Sequence, residues 1–296
     1  MPTMQNTRSS PPHDDRLATL AEQLSHNSLP YRDPLAVIDW TALSTGDAWL
    51  PPEMLSLHGV AEFDALPEQQ RRDLSVAEFV HFAQGGLWLE ALFMERLAQA
   101  MQGDSHGLTR QLYQLHELRE EAGHSLMFCE TIRHSGLNPA RSPYSRLRLA
   151  GWLARHVSFD SPLFWSTVLL GEEVADRFSR ALRQQQVAVN PAIYQLVSIH
   201  LVDEARHIAH AREVVGCAMA DMPAWRRKLL QRITAGLFRR FVQIFYYPPV
   251  QTYELAGLSQ PRQWRQLALS NPQRQAFVTA QLRSIHKVAH DAGIFP

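Results

Sequence analysis

The stretch His200-Leu201-Val202-Asp203-Glu204-Ala205-Arg206-His207 decides how this chain folds. Its ionisable groups fall at helical intervals. His200 lies four residues before Glu204 and seven before His207, so the three share one face of a helix. A Glu-x-x-His pair sets a carboxylate and an imidazole about one turn apart. The same pair occurs earlier as Glu121-Ala122-Gly123-His124. Each has a glutamate 31 positions upstream, Glu90 in the first case and Glu173 in the second. Two matching halves therefore offer four carboxylates and two imidazoles.

A single Glu-x-x-His carries little weight, because chance alone yields about one in a chain of this composition. Three occur, the remaining one being Glu78 and His81. That pair lies early in its helix without a helical glutamate 31 positions before it, and is expected on a solvated face. Glu90 reads differently. Val80, Ala83, Leu87, Glu90, Met94, Leu97 and Met101 recur at steps of three and four, an inward stripe in which Glu90 is the charged member. A lone carboxylate in such a stripe needs neutralising. A buried salt bridge or a protonated carboxyl would serve for Glu90 by itself.

Taken together, the four glutamates favour metal. Their charge of −4 is balanced by two divalent ions, whereas an arginine explanation would need several basic partners in the same stripes. Arg177 is one for Glu173, and the Glu90 stripe has none. One Glu from each of two helices and one Glu-x-x-His from each of two others is the donor set of ferritin-like di-metal bundles. The 31-residue interval suits two antiparallel arms of roughly 20 Å joined by a short loop. Glu172 and Glu173 are adjacent, and only one can face the metals. Spacing selects Glu173. Packing leans towards Glu172, which shares a face with Trp165, Val168, Leu169 and Ala175, so Glu172 stays as the alternative ligand. The register of His200 adds a third imidazole to the ligand face. An acid precedes each Glu-x-x-His, Glu120 in one half and Asp203 in the other. Such residues can accept the outer N–H of a metal-bound histidine from the opposite helix, which pairs Asp203 with His124 and Glu120 with His207.

Outward from these motifs the pattern is helical. Helices are expected over 68–102, 109–134, 162–185, 191–221, 222–247 and 272–290, with Ser161 and Pro162 opening the third. Residues 1–66, punctuated by prolines, read as an irregular N-terminal arm with short helices. Residues 67–296 read as one all-α bundle domain, a ferritin-like four-helix core with additional helices. The helix at 222–247 mixes Trp225 and several arginines with aromatic residues, and is expected to pack on the bundle or meet a second copy. Formal charge balances at 29 basic and 29 acidic residues, which argues against nucleic acid as a partner. No apolar run reaches the ~18 residues of a membrane span. A polar N-terminus without an apolar signal core, and two cysteines, fit a reduced, cytoplasmic protein.

Glu90, Glu121-Ala122-Gly123-His124, Glu173 and the segment from His200 to His207 resemble the p-aminobenzoate N-oxygenase family over about residues 75–220. The added histidine before Asp-Glu-x-x-His is the most specific element. The resemblance implies two iron ions, O2 as co-substrate, and oxidation of an amine nitrogen through hydroxylamine towards nitroso and nitro products. Glu90, Glu121, His124, Glu173, Glu204 and His207 would form the basic ligand set, with His200 as an additional ligand to one iron. It further implies a small amine substrate, arylamine or amino-acid-derived, free or tethered to a carrier protein. The chain has no flavin or nicotinamide fingerprint, so an external donor of ferredoxin or flavin-reductase type is expected. A homodimer is also expected. Competing readings of the same ligands are a diiron hydroxylase or desaturase acting on C–H bonds, and a ferritin-like iron-binding protein that is no oxygenase.

Overall fold

The computed structural model describes residues 12–102, 107–139, 155–185 and 189–296. They form helices α1 (Pro12–Asn27), α2 (Pro34–Val37), α3 (Ala61–Asp64), α4 (Glu68–Gln102), α5 (Gly107–His134), α6 (Pro162–Arg183), α7 (Pro191–Ala220), α8 (Ala224–Tyr246), α9 (Val250–Leu255), α10 (Pro261–Ser270) and α11 (Pro272–Asp291), with two 3-10 turns in the arm. The described residues contain no strand.

Helices α4 to α7 make the bundle. α4 packs along α5, α6 along α7, and the two pairs face each other. Local chemistry sets where the second pair begins. The Ser161 hydroxyl accepts the Leu163 N–H and Pro162 follows it, so α6 starts there, as the sequence predicts. The Asn190 side chain likewise accepts the Ala192 N–H before Pro191. Two glycines permit close approach. A Cβ on Gly86 would lie 2.6 Å from the Phe128 ring, and one on Gly123 would lie 2.6 Å from the Tyr31 hydroxyl. The first lets α4 and α5 meet one turn from Glu90, and the second seats the arm on α5.

The expected break at Gly103 to Gly107 falls mostly outside the described residues, as do the first eleven positions. The arm has more regular structure than expected. α1 runs 16 residues and packs on α5 and α7. Trp49, Leu50, Met54, Leu57 and Phe63 join the same apolar core as the bundle. α9 and α10, both short and lying between Pro248 and Asn271, are not announced by the sequence pattern. α8 packs on α6, with Phe241 close to Gly171, while Phe245 meets Phe82 of α4 and Phe238 meets His286 of α11; Trp225, Leu229 and Ile233 are exposed.

The expectation for Glu78 and His81 is corrected, because both are buried. Glu78 accepts hydrogen bonds from the Ser56 N–H and hydroxyl, and Ser56 also meets the Tyr253 hydroxyl at 2.9 Å. The His81 ring nitrogen lies 2.7 Å from the Ile244 carbonyl. This polar knot joins arm, bundle and C-terminal helices. Asn271 caps α11 through the Gln273 N–H and donates to the Ser56 and His58 carbonyls. Arg274 donates to the Met54 and Tyr246 carbonyls. Cys129 and Cys217 are free thiols. No helix among the described residues is long and apolar enough to cross a membrane.

Candidate metal centre

At mid-height in the bundle, α4 supplies Glu90, α5 supplies Glu121 and His124, α6 supplies Glu172, and α7 supplies His200, Glu204 and His207. All seven side chains are buried. Their donor atoms gather into three overlapping groups within 4.8 Å: Glu90, His124, His200 and Glu204; Glu121, Glu204 and His207; and Glu90, Glu121 and Glu172. Glu90, Glu121 and Glu204 each belong to two of the groups.

Spacing misled at one position. Glu173 points away from the cluster and takes hydrogen bonds from Arg177 at 3.3 Å and Arg212 at 3.1 Å. Glu172 joins the donors instead. The connection between α6 and α7 spans residues 184–190, against 103–106 between α4 and α5. The interval from Glu172 to Glu204 is 32 residues against 31 from Glu90 to Glu121, so an equal count back from Glu204 stops one residue short. The packing face of Glu172 carried the right signal.

The imidazoles are polarised alike. His124 turns Nδ1 inward, 3.2 Å from Glu121 and 3.3 Å from Glu204, and Nε2 outward, 3.3 Å from Asp203. His207 turns Nδ1 to Glu121 at 3.0 Å and Nε2 to Glu120 at 3.0 Å. These are the outer pairings expected from the sequence. If Nε2 carries the proton and donates it outward, Nδ1 is left with a free lone pair for a metal. His200 brings Nε2 to 3.4 Å from Glu204 and 3.8 Å from Glu90, on the same side as His124. Arg206 escaped the sequence reading. It donates to both Asp203 and Glu120, at 2.8 Å for the latter. Two outer acids on separate helices needed a cation between them, and Arg206, directly before His207, was the signal.

The electrostatics ask for positive charge inside. Burial, reinforced by the neighbouring carboxylates, pushes Glu90 and Glu172 well above the usual carboxylate range. Burial also opposes ionisation of Glu121, yet His207 and His124 hold it well below that range. Burial alone would depress His124, but bonds to Asp203 and Glu121 lift it to about 10. His200, without an outer acid, is depressed by burial to about 4. One Glu90 oxygen, one Glu121 oxygen, both Glu204 oxygens and the His207 Nδ1 lack hydrogen-bond partners. Orphaned, converging donors of this kind fit metal ions. Carboxylate oxygens and imidazoles in this number suit iron or manganese in preference to soft metals.

Fold and site define a ferritin-like oxidoreductase of the dimetal-carboxylate class. The profile of the p-aminobenzoate N-oxygenase AurF family matches residues 11–293, and the chain belongs to that family. Two relatives are 25% identical over 288 residues, covering 95% of this chain and 83% of their own: Rv0885 of Mycobacterium tuberculosis (strain ATCC 25618 / H37Rv) and Mb0909 of Mycobacterium bovis (strain ATCC BAA-935 / AF2122/97). Among solved structures, an R2-like ligand-binding oxidase with an aerobically reconstituted metal cofactor after photoconversion superposes with a TM-score of 0.51. The match has 15% identity and covers 97% of this chain and 98% of the other. A mutant of that oxidase with an anaerobically reconstituted Mn/Fe cofactor gives 0.50 at the same identity and the same two coverages. These likenesses establish the shared fold.

Proposed function

We propose that the protein is a diiron N-oxygenase that uses O2 to oxidise a primary amine, first to a hydroxylamine and onward towards nitroso and nitro products. The observation that carries this reading is His200 within the Glu90, His124 and Glu204 group. It adds a third imidazole where charge balance is already met by four carboxylates. A neutral donor raises electron density without adding charge, which suits oxygen transfer to an amine lone pair over hydrogen abstraction from carbon.

Glu90, Glu121, His124, Glu172, His200, Glu204 and His207 would hold two iron ions, which supply electrons and Lewis acidity for O2 reduction when bound. The chain's own groups do the rest. Asp203 and Glu120 would accept hydrogen bonds from the outer imidazole N–H groups, and Arg206 keeps both acids in position. Phe128, its ring centroid 5.5 Å from that of His200, helps keep water from the site. The first oxygenation takes an amine, O2, two electrons and two protons to a hydroxylamine and water. The electrons come from outside, from a ferredoxin or flavin reductase type of donor. The substrate is a small amine, arylamine or amino-acid-derived, free or carrier-tethered. The working protein is cytoplasmic and dimeric. The test is incubation of the iron-loaded, reduced protein with O2 and a panel of aryl and aliphatic amines, read by mass. A gain of oxygen on nitrogen supports the reading. Oxygen uptake with hydroxylation of carbon alone would replace it by the C–H oxidation alternative.

A further inference from the structure

Beside the metal centre lies a polar cluster that the chemistry above leaves unused. Glu117 sits one turn before Glu121 on α5, and His210 one turn after His207 on α7. Glu117 is wholly buried, and neither of its oxygens has a hydrogen-bond partner among the described residues. The same is true of the Tyr113 hydroxyl and of the His210 Nδ1. His210 Nδ1 stands 3.7 Å from a Glu117 oxygen, too far for a hydrogen bond. Leaving three adjacent buried polar groups unbonded is costly, and apolar packing gives no reason to retain them.

His210 is also part of the wall of a cavity of about 650 Å³, the size of a small-molecule site. Its ring meets Tyr113 and Trp165 edge-on, at 4.7 and 4.9 Å between centroids. Phe159 lies 5.1 Å from Trp165 on the same lining. Among the described residues the lining carries Asp14, Asp15 and Asp160 against one arginine, Arg110, which is itself bonded to Asp14 at 3.0 Å. The chamber is thus aromatic and negatively biased, with a buried carboxylate behind its His210 wall.

We propose that this cavity admits the substrate, and that His210, backed by Glu117 and Tyr113, binds the cationic group of an aromatic amine that bears no carboxylate. The inference rests on the amine-oxygenation reading of the metal centre. One helical turn, about 5 Å, separates Glu117 from Glu121. The ammonium would lie at the His210 wall, donating to its unpartnered Nδ1, with the Glu117 carboxylate 3.7 Å behind. An ammonium offers only donors, which the two Glu117 oxygens lack. A carboxylate at the same end of the ring would be repelled.

Three probes of one shape separate the outcomes: 4-(aminomethyl)aniline, p-toluidine and p-aminobenzoate. Binding to the iron-loaded protein, kept free of O2, is measured by calorimetry. The cationic probe should bind at least tenfold more tightly than p-aminobenzoate. Glu117→Gln should weaken it at least tenfold, leave p-toluidine within twofold and strengthen p-aminobenzoate. Tighter binding of p-aminobenzoate, or an equal loss for all three probes in E117Q, would overturn the proposal. Should E117Q fail to fold, the ranking in the unaltered protein decides. Mass analysis of turnover is read separately. Charge-selective binding without oxygenated amine would sink the reaction and spare this site, and the converse result would do the reverse.

Discussion

Glu172 and Glu173 are neighbours in the chain and face opposite environments, one the metal cluster and the other two arginines. Their variants should separate cleanly. Glu172→Ala should lower iron content below two per chain by metal analysis, with the fold retained. Glu173→Ala should keep both irons. It frees Arg177 and Arg212, both of which reach solvent, so its cost in thermal unfolding should be small, about 1 kcal/mol. The sequence carried both possibilities. Counting residues favoured the wrong one, because loop lengths do not repeat as helices do, whereas the apolar face of Glu172 reported its true direction. His200 was legible from register alone. His200→Ala should retain two irons and lose most amine oxidation. Full activity in that variant would remove its role. Arg206, Glu117 and His210 were hidden for another reason. Glu117 and His210 share faces with the ligands and Arg206 shares one with Asp203, but each meets a group on another helix, and one stretch of sequence does not show which groups will meet across a bundle.

At the scale of helices, periodicity and punctuation were sufficient wherever a helix was long and capped. Ser161 with Pro162 and Asn190 with Pro191 announced α6 and α7 through the side-chain acceptors those helices need. α9 and α10 are too short to show a hydrophobic period. The Glu78 and His81 pair was misjudged because burial there depends on segments far away, Ser56 from the arm and Tyr253 from α9. The contact between α4 and α5 depends on a missing side chain. Gly86→Ala would drive a methyl to within 2.6 Å of the Phe128 ring, and that ring packs beside His200. A loss of about 1–3 kcal/mol in thermal unfolding is expected, together with weaker iron retention.

Across the whole molecule, the ligand cluster makes metal loading depend on pH. The imidazole of His124 titrates at about 10 in the absence of metal, so near neutrality a cation must displace its proton. Iron affinity should therefore rise from pH 6 to pH 9, about tenfold per unit for each proton displaced, as measured by competition with a chelator. The clasp between the arm and α11 sets stability in another way. Arg274 is buried and bonded to the Met54 and Tyr246 carbonyls, so Arg274→Ala should cost about 2–4 kcal/mol and expose the arm to protease.

That clasp also fixes an order of events during synthesis. Every residue of the donor cluster lies before position 208, while Asn271 and Arg274, which fasten the arm, are made more than sixty residues later. A chain emerging from the ribosome thus exposes its complete donor set before it can bolt its own N-terminal segment down.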